Sequence, residues 1–326
     1  MIARRNFLVT SSSLAAVSWS EYASTQTMNI DLARIIVGFP PGGSTDVIAR
    51  RLADKMRGVY ALNVIVENKP GAGAQIAVTA LKNSPADGSV LMVSPGAPFS
   101  VYPFTYKKLP YAVDEVQPVC MLATFPFAFA VGPSVPATVK TLRDYLDWIK
   151  RNPNQGNYGS PAAGSTPHLV GELLAKQGAT NLTHVAYRGD AAGIQDLMGG
   201  QLSGYSTVLG SLLPHLKFDK VRLLAISGAT RSSFVPDVPT YKEQGFAIDF
   251  TEWFGLFAPA KVPLPLIQKI GSAAQDAMGD PAFTRTLADY GMTPKVANAV
   301  ELARQIKTDA DQWGPIIKSL GFTADS

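Results

Sequence analysis

Short β-branched runs alternate with helix-period segments along the chain, and this alternation restricts the fold more than any single motif does. From about residue 33, ARIIVGF reads as a buried strand and DVIARRLADKMRGVY as an amphipathic helix. NVIVEN, GAQIAVTALKN and VLMVSP continue as strand, helix and strand. That order predicts an α/β fold, a mainly parallel sheet with helices on both faces. A second round starts near residue 130 with the strand FAFAVGP. The helix VKTLRDYLDWIKRNP follows and should stop at Asn152-Pro153. NYGSPAAGSTPHLVGELLAKQG and THVAYRGDAAGIQDLMGG each give a strand, a turn and a helix, and LSGYSTVL gives another strand. VRLLAISG and WFGLFAPA read as strands returning toward the first unit, and the last hundred residues carry helices such as LPLIQKIGSAAQDAMG and AVELARQIKTDADQWGPIIKSLG. Two α/β domains facing each other across a cleft are expected.

Chemistry concentrates in the corners. PPGGSTD, KPGAGAQ and SPGAP fall at the carboxyl ends of the first strands, where ligands of open α/β sheets bind. In GFPPGGSTD, prolines and glycines stop the strand, and Ser44, Thr45 and Asp46 are all competent N-caps. The helix start leaves N–H groups unpaired, and these favour an anion together with the helix dipole. Gly42 and Gly43 allow close approach to the backbone. An ordinary turn with nothing bound has the same appearance, so the second round matters. There Ser160, Gly164, Ser165 and Thr166 hold the same place between strand and helix, with Pro167 in the tolerated first turn. Two hydroxyl-rich helix starts, one per domain, suit a ligand with an anionic group at each end.

Composition excludes several classes. The chain of 326 residues is 46% hydrophobic and 17% charged, enough for one large or two ordinary domains. Its net charge of +4 is spread without a basic block longer than a pair, so nothing calls for nucleic acid. Cys120 is the only cysteine, which rules out an intrachain disulfide, and its setting PVCMLATF suggests a buried structural thiol. Arg4-Arg5-Asn6-Phe7-Leu8 precedes a Ser-rich apolar stretch with no acid until Glu21, a start similar to a twin-arginine export signal. A Sec-type signal is the alternative, and either one makes residues 1–27 an address that is removed in a periplasmic protein. No later run approaches the ~20 apolar residues of a membrane span.

Other chemistries find little support. GAGAQIA only loosely matches a dinucleotide fingerprint, and no Gly-Lys-Ser/Thr marks a phosphate loop. Ser165 and His168 are close in sequence, but no nucleophile elbow is present. His168 reads as a first-turn hydrogen-bond donor, and His215 in LLPHLKF as structural or exposed. Three scattered histidines do not make a zinc site, so no metal or cofactor is expected. Trp253 and Phe254 read as core, with an apolar cleft wall as the alternative.

The runs IIVGFPPGGSTDVIARRLADKM, VIVENKPGAGAQIA and SPADGSVLMV, taken together, resemble the extracytoplasmic receptors of tripartite tricarboxylate transporters, the Bug proteins. The likeness continues through NYGSPAAGSTPHLVGELL, HVAYRGDAAGIQDLMGGQL, VRLLAISGATRSSFVPDVPTYKEQGF and WFGLFAPAKVPLP, covering roughly residues 33 to 320. It implies a two-lobed type II periplasmic-binding-protein fold, a Venus flytrap with a mixed or parallel sheet flanked by helices in each lobe. Residues 28–128 with 222–326 would form the first lobe and 129–221 the second.

The resemblance further implies a monomeric receptor for a small carboxylated metabolite, such as a di- or tricarboxylate, delivered to membrane transporter subunits. The first lobe would contribute Phe39, Gly42, Gly43, Ser44, Thr45 and Asp46, with Gly71-Ala72-Gly73 and Ser94-Pro95-Gly96. The second would contribute Ser160, Gly164, Ser165, Thr166 and His168, then Tyr187, Arg188, Gly189 and Asp190, with Tyr205 and Ser206 beyond. One departure stands out. Where the family commonly has a small residue and proline after Tyr-Lys-Gly, this chain has Arg188-Gly189-Asp190-Ala191-Ala192. Asp190 can meet a ligand amine or hydroxyl, or cap the next helix. A ligand sensor of the same fold for a signalling partner, and an exported hydrolase using Ser165 or Ser44, are the competing functions.

Overall fold

The computed structural model describes residues 30–324, and the export signal expected over residues 1–27 lies outside the described residues. The chain opens with β1 (Leu32–Val37), α1 (Ser44–Met56), β2 (Asn63–Asn68), α2 (Gln75–Lys82) and β3 (Val90–Pro95). β1 pairs in parallel with β2 on one side and β3 on the other, as the strand–helix alternation requires. Two helical turns, α3 (Ala97–Ser100) and α4 (Tyr102–Thr105), lead to β4 (Val116–Val131). Next come α5 (Leu142–Arg151), β5 (Asn157–Ser160), α6 (Thr166–Gln177), β6 (Thr183–Ala186), α7 (Asp190–Met198) and β7 (Gly204–Val208). The chain continues through α8 (Leu209–Leu212), β8 (Arg222–Ile226), β9 (Thr251–Pro259), α9 (Leu264–Met278), α10 (Pro281–Asp289), β10 (Thr293–Asn298) and α11 (Ala299–Leu320).

β4 organises the molecule. It runs 16 residues, far beyond the FAFAVGP segment read from the sequence. Pro118 and Pro126 concealed its first part, since a proline has no N–H for a ladder. Pro118 lies at a register shift against β9, and Pro126 is the last residue to pair with β9, opposite Thr251. The first part of β4 lies between β9 and β10, both antiparallel to it. From Phe127 onward β4 lies between β7 and β8 instead. One strand thus belongs to both lobes, and each lobe's sheet is mixed. β8, expected with the first unit, hydrogen-bonds within the second; its LLAI pattern fits either sheet, and tertiary pairing decides.

Helices follow their apolar spacing. α5 buries Leu142, Tyr145, Leu146 and Ile149, one face of a 3.6-residue period. Thr141 and Asp144 exchange hydrogen bonds at its start in a capping box, and it ends at Asn152-Pro153 as predicted. Cys120 is buried as expected, and burial pushes its thiol up to about 12. Phe125, Phe127 and Phe129 alternate along β4 and are all fully buried in one core cluster. Phe125 packs against Phe254 of β9 with the rings tilted, 4.4 Å between ring centres.

Candidate ligand-binding cleft

A cavity of about 360 Å³ lies where the corners of the two lobes meet. Its first anchor is the start of α1. Gly42 takes a left-handed φ of +88°, Gly43 is the N-cap, and Ser44 and Thr45 open the helix. The start of α6 repeats this backbone residue for residue. Gly164 has φ +68°, Ser165 is the N-cap, and Thr166 and Pro167 open the helix. The two N-caps share nearly the same conformation, φ −76° and ψ 167° at Gly43 against −74° and 162° at Ser165. Gly43 has no side chain and that of Ser165 does not accept from its helix, so both first turns line the cavity without a side-chain cap.

Ser44, Thr45 and Asp46 were each expected to be competent caps, but they occupy the first turn itself. Asp46 turns away from the cavity. Its carboxylate accepts from the Gly42 N–H at 2.9 Å, from Arg50 at 2.8 and 2.9 Å and from Asn68 at 2.8 Å, locking the corner. Burial works against its charge, but Arg50, Gly42 and Asn68 together hold the carboxyl below its usual range.

Of the residues expected at the site, Phe39, Gly42, Gly43, Ser44, Thr45 and Pro95 line the cavity from the first lobe. Ser165, Thr166, Arg188, Gly189 and Asp190 line it from the second. The remainder form a supporting layer. Gly164 donates its N–H to Nδ1 of His168 at 3.0 Å, so this histidine accepts where a donor was expected. His168 stacks on His184 at 3.4 Å, and Nε2 of His184 bonds Ser160 Oγ at 2.8 Å. Burial, with His168 alongside, pushes His184 down to about 3. Gly73 backs onto Tyr102, whose hydroxyl lies 2.4 Å from where a Cβ would sit. Gly71 and Ala72 share this turn outside the cavity. Ser94 Oγ donates to the Pro95 carbonyl, and the Gly96 N–H to Glu252. Tyr187 donates to Asp196 and Tyr205 to Asp190, while Ser206 is wholly buried in β7.

Several lining residues escaped the sequence reading. Tyr102, Phe125, Phe127 and Tyr290 supply aromatic walls, joined by Phe254, for which a cleft wall was the alternative; Trp253 does not reach the cavity. Trp253 is core, its indole N–H donating to Asp309 at 2.7 Å. His215, expected to be structural or exposed, also lines the cavity, and its Nδ1 is buried without a protein partner. Glu252 is the most consequential omission. It is 6% exposed, accepts from the Gly96 N–H at 3.2 Å, and takes the Thr166 hydroxyl at 2.8 Å across the cleft. Burial, reinforced by Asp309, pushes its carboxyl up to about 8. A lone acid heading the apolar strand EWFGLFAP was the available signal.

Residues 48–322 match the tripartite tricarboxylate transporter family receptor. The chain belongs to that receptor family. A UPF0065 protein of Bordetella pertussis is 32% identical over 290 residues, covering 89% of each chain. Among solved structures, the periplasmic binding protein BugD superposes with a TM-score of 0.83 at 27% identity, covering 89% of this chain and 98% of its own. MatC from Rhodopseudomonas palustris with bound malate gives 0.81 at 26% identity, covering 88% and 98%. The two-lobed periplasmic-binding fold and the Bug likeness implied by the sequence are therefore properties of this receptor.

The lobes of the receptor touch around the cavity. Ser44 Oγ lies 3.4 Å from Ser211 Oγ, and Tyr106 donates to the Ala163 carbonyl at 2.8 Å. Asp190 occupies the second lobe's side. Its carboxylate accepts from Thr207 at 2.5 Å, Ser211 at 2.6 Å and Tyr205 at 3.3 Å. It does not cap α7, whose N-cap is Gly189 with no side-chain bond. Burial raises its carboxyl above the usual range, with the three hydroxyls opposing.

Proposed function

We propose that this chain is an exported, periplasmic solute receptor that captures a small carboxylated metabolite and passes it to a tripartite membrane transporter. The observation that carries the reading is the pair of matched helix starts, from α1 and α6, opening without side-chain caps into one cavity. Oriented N–H groups at a helix N-terminus stabilise an anion without a fixed cation. The aromatic walls would hold the ligand's apolar body, and enclosure strengthens each polar contact. The malate held by MatC supports the ligand class, and the family's name supports the transporter. Among the described residues no helix is long and apolar enough to cross a membrane, which fits a receptor working beside a separate membrane component. The lobes are proposed as residues 30–126 with 251–324, and 127–250, with ligand binding drawing them together.

The hydrolase alternative lacks support at its candidate nucleophiles. The Ser165 hydroxyl donates to the Ala162 carbonyl at 2.6 Å, and Ser44 neighbours Ser211. His168 and His184 engage Gly164 and Ser160 behind the cavity wall.

A thermal-shift and calorimetric screen of mono-, di- and tricarboxylates, amino acids and aromatic acids tests the reading. A ligand at 100 times its Kd should add about 2.7 kcal/mol of stability. Thr45→Pro then probes the anchor, because it deletes one first-turn N–H at the position where α6 already carries Pro167. The variant should fold and bind roughly tenfold more weakly, the loss of about one charge-assisted hydrogen bond. Absence of binding by every acid would overturn the receptor reading, and unchanged affinity in Thr45→Pro would overturn the anchor.

A further inference from the structure

Asp190 places a carboxylate inside a cavity otherwise suited to anions. Thr207, Ser211 and Tyr205 all donate hydroxyl hydrogens to it, so the group is fixed as an acceptor facing the ligand space. Hydroxyls orient a charge without neutralising it. Among the described residues no Lys or Arg pairs with Asp190; Arg188 also lines the cavity, but it is largely exposed and makes no ion pair with it. Glu252 lines the same cavity from the opposite lobe, but burial keeps its carboxyl from ionising readily, so Asp190 is the carboxylate a ligand's charge would meet. Nor does helix capping explain Asp190, because its carboxylate bonds β7 and α8 side chains rather than the first turn of α7. An enclosed carboxylate without a counter-charge is unfavourable until a cation meets it. A dianionic ligand would set its second carboxylate against Asp190, and like charges in such a site strongly disfavour the wrong partner.

We propose that the receptor selects an amino-group-bearing monocarboxylate, its carboxylate at the α1 and α6 helix starts and its ammonium against Asp190. This rests on the carboxylate-receptor reading and narrows it. A neutral hydroxyl on the ligand would supply a hydrogen bond but no compensating charge, so hydroxy acids rank below amino acids of the same shape.

The test uses the ligand-free protein and probes matched in carbon number. 4-Aminobutanoate, 5-aminopentanoate and 6-aminohexanoate are compared with succinate, glutarate and adipate, and with butanoate, pentanoate and hexanoate; leucine and phenylalanine represent α-amino acids. At least one amino acid should bind tenfold or more tightly than its acid counterparts. Asp190→Asn keeps an acceptor for Thr207 while removing the charge, and should erase that preference and improve dicarboxylate binding. A wild-type preference for dicarboxylates over amino acids overturns the proposal but leaves the carboxylate receptor standing. Preference retained in Asp190→Asn also overturns it. Binding of no acid at all overturns the underlying receptor reading instead. The wild-type ranking decides even if the variant does not fold.

Discussion

Glu252 links the two lobes through a group that resists ionisation. Its neighbours are the Gly96 N–H, the Thr166 hydroxyl, Asp309 on α11 and Tyr102 on α4, with Asp249 in the adjoining polar pocket. None of these groups is a cation. Its carboxyl sits at about 8 in the folded protein against 4.5 for a free glutamate. The folded state therefore holds this proton more firmly than the unfolded state does, and stability declines as pH rises from 4.5 to about 8. The slope from such a group is at most about 1.4 kcal/mol per pH unit. Glu252→Gln keeps the shape and removes the titration. Thermal unfolding of the ligand-free proteins should therefore show the wild type losing ground to Glu252→Gln between pH 5 and 8. Parallel curves would show that Glu252 does not titrate in that window. This residue was not legible as part of the site, because a single acid beside Trp253 and Phe254 looks like the solvent-facing end of a core strand. Asp190 was legible as an anomaly, yet only the hydroxyls of Thr207 and Ser211 show which way it points.

At the scale of elements, the strands and helices that bear regular spacing were readable, and those defined by tertiary partners were not. α1, α5 and the Gly–Ser–Thr corners announce themselves through apolar period and local turn chemistry. β4 did not, because Pro118 and Pro126 break the pattern that a strand normally shows. β10 reads TPKVAN, with little apolar character, and exists because β4 offers it an edge. α8 is four residues long, too short to carry a period, yet it carries a close contact between the lobes. A Cβ on Gly210 would lie 2.0 Å from the Tyr290 carbonyl oxygen, and no glycine-only φ is needed there. Replacing glycine by alanine within a helix normally adds stability, up to about 1 kcal/mol. Gly210→Ala should therefore leave the isolated second lobe intact while holding the lobes apart. The expected result is ligand affinity lowered at least tenfold with no loss of thermal stability in the ligand-free protein. Undiminished affinity would mean that α8 and the Tyr290 turn need not meet for binding.

For the whole molecule, the proposed lobe bounds put the two crossings between lobes side by side. Pro126 of β4 pairs with Thr251 of β9, and the next residue, Phe127, exchanges hydrogen bonds with Ser227 at 2.8 Å in both directions. In the proposed reading each lobe moves as a unit about this seam, and the contacts across the cavity make and break with it. Ser44 and Ser211 are the natural place to test that motion, with hydroxyl oxygens 3.4 Å apart on opposite lobes. A disulfide needs Cβ atoms about 3.5–4.5 Å apart, a separation compatible with such a contact. Because Cys120 is the only native cysteine and is buried, a Ser44→Cys, Ser211→Cys double variant should form one defined crosslink. Oxidised after loading, it should release ligand far more slowly than in its reduced form; oxidised empty, it should take ligand up slowly. Comparing the two redox forms of one variant cancels the loss of the serine hydroxyls themselves. Equal exchange rates would show that ligand enters and leaves without parting the lobes, and closure would then have no role in retention.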